Sequence, residues 1–176
     1  MGCIKNIRYF IRKLRKKEQA SSEAYLNYLR EKGAQIGEDV HIYSLSKSII
    51  DGCCPWLLKI GDHVQITAGV KILNHDYSWS VLKRLDGDGI CPGGIYGGQG
   101  PVEIGSNVFI GMDTVITPGV TIGDNVVIGA GSIVTKDCPA NGFYVGNPAK
   151  RIMEHSVIMY GYESLEDAEA ALERSK

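Results

Sequence analysis

Four histidines, at positions 41, 63, 75 and 155, are the side chains of this sequence best suited to general acid–base chemistry. A histidine imidazole titrates near neutral pH, so one ring can accept a proton from a reacting hydroxyl and then return it to a leaving group. His75 stands apart because it follows Leu73-Asn74, where a regular aliphatic pattern stops and a glycine-rich stretch begins. His75 is therefore the candidate for a catalytic base. The alternative is an ordinary histidine in a surface turn.

Other candidates for metal binding or covalent catalysis are weaker. His41 and His63 are 22 residues apart and His63 and His75 are 12 apart, so no close histidine pair indicates a metal site. We expect His41 and His63 to be solvated, and we predict no metal. An odd number of cysteines without a CxxC pair argues against a disulfide framework and a zinc knuckle, and favours a reducing, cytoplasmic compartment. The cysteines are Cys3, Cys53, Cys54, Cys91 and Cys138.

A six-residue repeat predicts the structural elements that must position His75. Its aliphatic members are Ile104, Ile110, Ile116, Ile122, Ile128 and Val134, and glycine follows the first, second, fourth and fifth of them. This period matches neither an α-helix nor a plain strand and is typical of a β-helix, in which three hexads close one triangular coil. We predict one inward aliphatic residue and one small inward corner residue per hexad. We also expect the glycines to supply strained corner backbone.

The repeat starts at Ile36, weakens through Ser48 and Cys54, and recovers at Ile60. Position 60 lies four hexads beyond position 36, so the phase predicts one continuous coil. Ile72 and Ile104 are 32 residues apart, which is not a multiple of six, and the residues between them are rich in glycine. This interruption predicts an excursion loop over residues 76–101, and long loops in compact repeats are usually functional or disordered.

Both ends of the chain have helical patterns. Seven basic residues lie between positions 5 and 17, before the first acid, and aliphatic residues recur among them every three or four positions. This predicts an amphipathic basic helix that packs on the body or on a neighbouring subunit, or makes peripheral membrane contact through residues 1–17. A second helical segment starts at residues 21–24 and stops near Gly33. A capping-box sequence at 164–167 predicts a C-terminal helix.

Length and composition are those of a globular protein. The chain has 176 residues, 44% of them hydrophobic, and a formal net charge of −1, which fits about one domain. No run approaches the roughly 20 apolar residues that cross a bilayer. The sequence has no basic groove rich in aromatic residues, so we expect no nucleic-acid partner. We therefore expect a soluble cytoplasmic protein.

Residues 108–111, 128–137 and 146–150 carry a pattern that resembles the hexapeptide-repeat acyltransferases. Within that superfamily they resemble the sugar O-acetyltransferases, such as the galactoside and maltose acetyltransferases and the capsule or lipopolysaccharide modifiers. The resemblance covers about residues 36–153 and implies an all-β fold, a left-handed parallel β-helix with a long inserted loop. We expect a helical basic segment over 1–35, the β-helix over 36–148 and a helical segment over 149–176.

The resemblance implies an acetyl-CoA-dependent enzyme that forms a homotrimer. His75 then takes a proton from a hydroxyl of a sugar or surface-polysaccharide precursor as that oxygen attacks the thioester. Met112 replaces the small polar residue common at its position in the family. The residues at the family's cofactor-binding positions are Phe109, Met112, Ala130, Thr135, Lys136 and Lys150.

Four residues of the loop are candidates for binding the acceptor: Tyr77, Trp79, Asp86 and Tyr96. Aromatic faces cover the apolar side of a pyranose and carboxylates bond its hydroxyls, although the same residues could serve only loop packing. Amino-sugar N-acetylation and acetylation of a xenobiotic such as an antibiotic are alternative activities. A function of another class, a non-catalytic β-helix scaffold, also fits the repeat itself.

Overall fold

A computed structural model describes residues 22–52, 54–76, 78 and 98–154. Residues 22–31 form a helix, α1, inside the predicted N-terminal helical segment. Leu26 and Leu29 of α1 are fully buried in the core, and the Ser22 hydroxyl accepts a hydrogen bond from the Ile42 amide at 3.0 Å. The helix therefore covers the open end of the first coil. It ends near Gly33, as predicted, and Gly33 has a positive φ of 101°.

The described strands are short and follow the chain around a triangular prism. They are β1 (Gln35–Ile36), β2 (His41–Ile42), β3 (Ile49–Ile50), β4 (Leu58–Ile60), β5 (Val64–Ile66), β6 (Lys71–Ile72), β7 (His75–Asp76), β8 (Gly98–Gln99), β9 (Val102–Ile104), β10 (Val108–Ile110), β11 (Val115–Ile116), β12 (Thr121–Ile122), β13 (Val126–Ile128), β14 (Ile133–Val134), β15 (Gly142–Val145) and β16 (Lys150–Glu154). A 3-10 turn, Pro55–Leu57, precedes β4.

Three sheets form the faces of the prism. Face A has the order β1-β4-β9-β12, face B has β2-β5-β10-β13-β15-β16, and face C has β3-β6-β11-β14. Neighbouring strands are parallel except β15 and β16, which form an antiparallel hairpin. The arrangement fits the predicted left-handed β-helix of hexapeptide repeats.

The interior consists of the residues that the repeat assigns to it. The six aliphatic residues from Ile104 to Val134 are at most 2% exposed, and they stack in register from coil to coil, as Ile110 does on Ile128. The predicted small corner positions are buried too: Val40, Val64, Val70, Val108, Thr114, Val120, Val126 and Ser132. Each buried aliphatic side chain stabilises the fold by about 1.5–3 kcal/mol, so the stacked columns provide the main stabilisation of the prism.

The predicted phase through the first coil is wrong. Ile50, and not Ser48, takes the inward position on face C, where it pairs with Ile72. Cys54 precedes the 3-10 turn, and Ile36 pairs with Ile60. The steps from 36 to 42, 50 and 60 are therefore six, eight and ten residues. Position 60 is again in phase with position 36, because the two extra residues of the second step and the four extra residues of the third step add up to one hexad. The prediction of one continuous coil is confirmed.

The glycines that directly follow the aliphatic residues have a different role from the one expected, whereas Gly69, Gly119 and Gly131 at other corners have the expected positive φ. Gly105, Gly111, Gly123 and Gly129 do not have left-handed backbone, and a Cβ on Gly111 would lie 2.4 Å from the Ala130 nitrogen. They are needed because successive coils approach closely at the corners. The left-handed positions of corner A–B, between faces A and B, are non-glycine residues in one column: Asp39, His63, Asn107, Asn125 and Asn141. Asparagine tolerates this conformation better than most residues.

The excursion leaves and returns at the edge between faces C and A. There β7 pairs antiparallel with β8, so that His75 lies opposite Gln99, and the Gly100 amide donates to the Asn74 carbonyl at 3.0 Å. Most of the predicted loop, together with residues 1–21 and 155–176, lies outside the described residues. The predicted basic and C-terminal helices and the three-part division of the chain stay predictions. Among the residues described, no helix is long and apolar enough to cross a membrane.

Candidate active site

His75 is paired with a carboxylate from the preceding coil. Its Nδ1 hydrogen-bonds to Oδ2 of Asp51, whose side chain is 6% exposed, whereas the His75 side chain is 24% exposed. The imidazole therefore reaches the surface with its inner nitrogen held by a buried acid. In the tautomer in which Nδ1 carries the proton and donates a hydrogen bond to Asp51, Nε2 has the basic lone pair.

Asp51 reaches this position because β3 and β6 lie side by side. Ile50 pairs with Ile72, and the Asp51 amide donates to the Ile72 carbonyl at 2.9 Å. Asp51 thus lies one coil below Leu73, and Leu73 precedes His75 by two residues. Sequence reasoning missed Asp51, because the assumed phase placed Ser48 inward. Only the real lengths of the steps in the first coil bring this acid beneath His75.

Asn74 fixes the backbone around the pair. Its side chain is buried, and Nδ2 donates to the carbonyls of Cys54 at 2.8 Å and Asp51 at 3.4 Å. The Asn74 amide also donates to Asp51 Oδ2 at 3.3 Å. These contacts join the strand that carries His75 to the segment that carries its acid. Asp76 has another role: its carboxylate accepts bonds from the Ser78 amide and hydroxyl, which lower the pKa of Asp76.

The other two described histidines lie at corner A–B or next to it, away from His75. Asp39 accepts from His63 Nδ1 at 2.6 Å and from His41 Nε2 at 2.8 Å. The hydrogen bond to His63 is the main cause that lowers the pKa of Asp39, and the bond to Asp39 raises the pKa of His63. All three side chains are at least partly exposed. In the part of the chain that the structure describes, no group of His, Cys, Asp or Glu could hold a metal ion.

Three of the predicted cofactor-binding residues lie at or near corner B–C, between faces B and C. Met112 and Ala130 are exposed and lie one coil apart, with the Gly131 amide donating to the Met112 carbonyl at 2.7 Å. The turn between β15 and β16 stacks on the same corner, since the Ile133 amide donates to the Gly146 carbonyl, and Lys150 follows this turn. Phe109 projects from face B and is 42% exposed.

Thr135 and Lys136 lie at the opposite edge of face C, on corner C–A with His75. The Thr117 amide donates to Val134, and the Leu73 amide donates to Ile116, so Thr135 is two coils from Leu73. At about 4.8 Å per coil, this is a distance of roughly 10 Å along the prism. The structure thus divides the predicted site between two edges of face C. The outward residues of that face include Ile49, which is 53% exposed, with Val115 and Ile133 partly exposed.

The four predicted acceptor residues, Tyr77, Trp79, Asp86 and Tyr96, lie outside the described residues, as do His155 and the three cysteines Cys3, Cys53 and Cys91. The other two cysteines, Cys54 and Cys138, are buried thiols. Burial raises the pKa of Cys138 to about 11, so its thiol is protonated at neutral pH and is not a nucleophile.

Residues 101–136 match the family described as bacterial transferase hexapeptide (six repeats). Protein CapG of Staphylococcus aureus is 45% identical over 143 residues, which cover 80% of this chain and 76% of CapG. The chain belongs to the hexapeptide-repeat transferases. Another relative of this transferase is the galactoside O-acetyltransferase of Escherichia coli strain K12, which is 39% identical over 125 residues. That match covers 67% of this chain and 55% of the relative.

A solved structure gives the same family. The maltose O-acetyltransferase from Clostridium difficile 630 superposes on this hexapeptide-repeat transferase with a TM-score of 0.55 and 30% identity, over 88% of this chain and 89% of that chain. The expected family and enzyme class, a hexapeptide-repeat acetyltransferase, are therefore confirmed. The acceptor, the donor and the residue roles belong to the proposal that follows.

Proposed function

We propose that this acetyltransferase moves an acetyl group from acetyl-CoA to a hydroxyl of a sugar or surface-polysaccharide precursor, with His75 as the general base. The observation that carries the proposal is the His75–Asp51 pair at the base of the excursion. A buried acid that holds Nδ1 of a partly exposed imidazole orients the ring and stabilises the imidazolium, as the acid of a Ser-His-Asp triad does. The names of the galactoside and maltose O-acetyltransferases support a sugar hydroxyl as the acceptor.

The reaction needs one proton relay and no covalent enzyme intermediate. His75 Nε2 takes the proton of the acceptor hydroxyl while that oxygen attacks the thioester carbonyl carbon. The tetrahedral intermediate collapses, the carbon–sulfur bond breaks, and the CoA thiolate takes the proton from Nε2. The products are an acetyl ester and CoA. Asp51 acts as a positioning residue: it fixes the ring and stabilises the imidazolium while the proton resides there.

The donor is proposed to bind along corner B–C. The Met112 side chain and Ala130 are exposed there, and the Ala130 amide donates to no backbone carbonyl of the described residues. A backbone amide without such a partner suits a carbonyl of a pantetheine arm. The Lys150 cation suits the phosphates of CoA, and Phe109 extends the same surface on face B. Thr135 and Lys136 lie at the other edge of face C, so they meet this donor only as residues of the neighbouring subunit in the trimer.

A homotrimer explains why one chain holds the two halves of the site apart. His75 lies at one edge of face C, and Met112 and Ala130 lie at the other. If corner C–A of one subunit meets corner B–C of the next, the imidazole of one chain faces the donor-binding surface of its neighbour. The cyclic symmetry of a trimer repeats this contact three times and leaves no edge unmatched.

The proposal is tested by measuring free CoA released from acetyl-CoA with hydroxyl and amine acceptors, for wild type, His75→Ala and His63→Ala. We expect His75→Ala to reduce kcat about 10²- to 10⁴-fold, the usual contribution of general base catalysis. His63→Ala removes an exposed histidine at another corner and should keep normal turnover.

Near-normal turnover of His75→Ala would refute the assignment of the base. Preference for amine over hydroxyl acceptors would favour N-acetylation. Failure of the wild-type protein to bind CoA in equilibrium dialysis would favour the scaffold.

A further inference from the structure

Aromatic side chains line the edge of α1 that lies next to the His75–Asp51 pair. Tyr25 and Tyr28 stack with ring centroids 6.3 Å apart and an interplanar angle of 22°. Tyr28 is 49% exposed, and the Lys32 ammonium lies 5.8 Å from its ring centroid. Tyr25 is partly buried, so Tyr28 is the exposed ring of this stacked pair. Exposed aromatic rings that cluster near a site often mark a binding surface.

This row is tied to the catalytic pair by direct contacts. The Tyr25 hydroxyl donates to the Ile50 carbonyl at 3.2 Å, and Ile50 is the residue before Asp51. Burial raises the pKa of Tyr25 most, and the charges of Tyr28 and Asp51 raise it further, which places the phenol within electrostatic range of that carboxylate. The helix edge and the acid that holds His75 are therefore neighbours.

Trp56 adds a third ring to the same region. It lies in the 3-10 turn directly after Cys54, whose carbonyl accepts the Asn74 side-chain bond beside His75. Its backbone and Cβ pack at the end of α1, where a Cβ on Gly33 would lie 3.4 Å from Trp56 Cβ. Trp56 is nevertheless 60% exposed, the highest value among the exposed large hydrophobic residues that the structure describes.

We propose that Tyr28 and Trp56 form a platform for the acceptor saccharide, with its apolar ring face on the aromatic rings and one hydroxyl directed at His75. The inference rests on the proposed function and names a subsite for it outside the excursion loop. Pyranose rings fit such a platform because their axial C–H groups make one face apolar while their edges stay polar. A small alcohol such as glycerol has no comparable face and should gain nothing from these rings.

Kinetics at saturating acetyl-CoA test the platform. The acceptor probes are methyl glucopyranoside, methyl galactopyranoside and N-acetylglucosamine, with glycerol as the non-cyclic control. We expect Tyr28→Ala and Trp56→Ala each to raise KM for the saccharide that wild type accepts by roughly three- to tenfold, the size of one aromatic contact. KM for acetyl-CoA should not change, and Trp56→Phe should keep most of the affinity. Tyr43→Ala is the matched control, because Tyr43 is 48% exposed but follows β2 on face B.

A binding measurement separates this inference from the proposed chemistry. The chain has two tryptophans, so the Trp79→Phe variant leaves Trp56 as the only indole. Because Trp79 is itself a predicted acceptor residue, the saccharide KM of Trp79→Phe is measured first, and the fluorescence is read at saccharide concentrations above that KM. Saccharide addition should change its fluorescence, also when His75 is replaced by alanine. If His75→Ala stays active while the fluorescence responds, the base is wrong and the platform stands.

Two outcomes would overturn the platform. One is unchanged saccharide KM in both alanine variants together with silent Trp56 fluorescence. The other is a changed oligomeric state of Trp56→Ala in light scattering without a change in saccharide KM, which would identify this surface as a contact between subunits.

Discussion

Replacing Asp51 by asparagine removes one charge from the site while keeping the size of the side chain. Asp51 is nearly buried, and its Oδ2 accepts from both His75 Nδ1 and the Asn74 amide. An asparagine oxygen in the place of Oδ2 can still accept from both groups, but it carries no charge to stabilise an imidazolium. If its NH₂ group faces the ring instead, the imidazole must take the other tautomer, and Nε2 then carries the proton and cannot act as the base.

The size of the effect follows from the contact that is lost. A hydrogen bond to a charged group contributes about 1.5–3 kcal/mol, and each 1.36 kcal/mol changes a rate about tenfold. Because the imidazolium forms only as the reaction proceeds, the loss falls on the transition state and not on the bound substrates. We therefore expect Asp51→Asn to lower kcat roughly 10- to 150-fold, with KM for acetyl-CoA unchanged.

The assay is CoA release at saturating donor and acceptor, with thermal unfolding of the same samples. Asp76→Asn is the matched control, since Asp76 is the exposed carboxylate next to His75 and bonds only Ser78 among the described residues. Its kcat should stay within a factor of two or so of wild type. A merely structural role of Asp51 would reduce the melting temperature and the active fraction together. Unchanged kcat in Asp51→Asn, at full stability, would refute the positioning role.

Three further predictions concern the scaffold. Gly111→Ala should lower stability by about 1–3 kcal/mol in urea unfolding, because its Cβ would meet backbone of the next coil, whereas Gly52→Ala, with nothing within 4 Å, should not. His63 has a pKa raised above 6.5 and Asp39 one lowered below 3.8. Their pairing therefore stabilises the fold between those two pH values. The stabilisation is lost as pH rises past the His63 pKa or falls past the Asp39 pKa. The Tm difference between wild type and Asp39→Asn should therefore be larger near pH 5 than near pH 9. Cys138 has a pKa of about 11 and should resist iodoacetamide at about pH 8 until the protein is unfolded; rapid labelling of native protein would contradict its burial.

The sequence predicted the prism well because its repeat has a simple physical cause. An inward residue must recur once per face, so the aliphatic column from Ile104 to Val134 could be read directly from the spacing. The residue four positions later must be small, and Thr114 and Ser132 show that it need not be apolar. Both are fully buried because their hydroxyls donate to the Gly129 carbonyl. Spacing therefore predicts burial, while the identity of a corner residue depends on local carbonyls.

Glycine was harder to interpret, because two physical demands favour the same residue. A glycine is selected either where φ is positive or where a Cβ would strike another chain segment. In this coil the second demand applies after Ile104 and Ile110, whereas positive φ occurs at Asn107 and Asn125, whose side chains bond each other at 3.1 Å. The printed sequence does not separate the two cases, since the distance between coils is a property of the stack.

The break in the repeat, and not the repeat itself, creates the candidate site. In a regular coil, Cys54 would stack on Ile36, and every residue of the first coil would serve a flat face. The steps of eight and ten residues instead place a segment outside the regular strands after Ile50. In this segment Asp51 is buried and bonded by Asn74, and Asn74 also bonds the Cys54 carbonyl. The next coil opens at the same corner, where the excursion begins, so the His75–Asp51 pair lies at two successive irregularities of the coil. Extra residues that lengthen a coil lose conformational entropy on folding without adding a stacked aliphatic residue. They therefore lower the stability of the fold. We therefore expect a variant in which the first coil is shortened to regular hexads to unfold at a higher temperature than wild type, provided that it folds, and to lose CoA release.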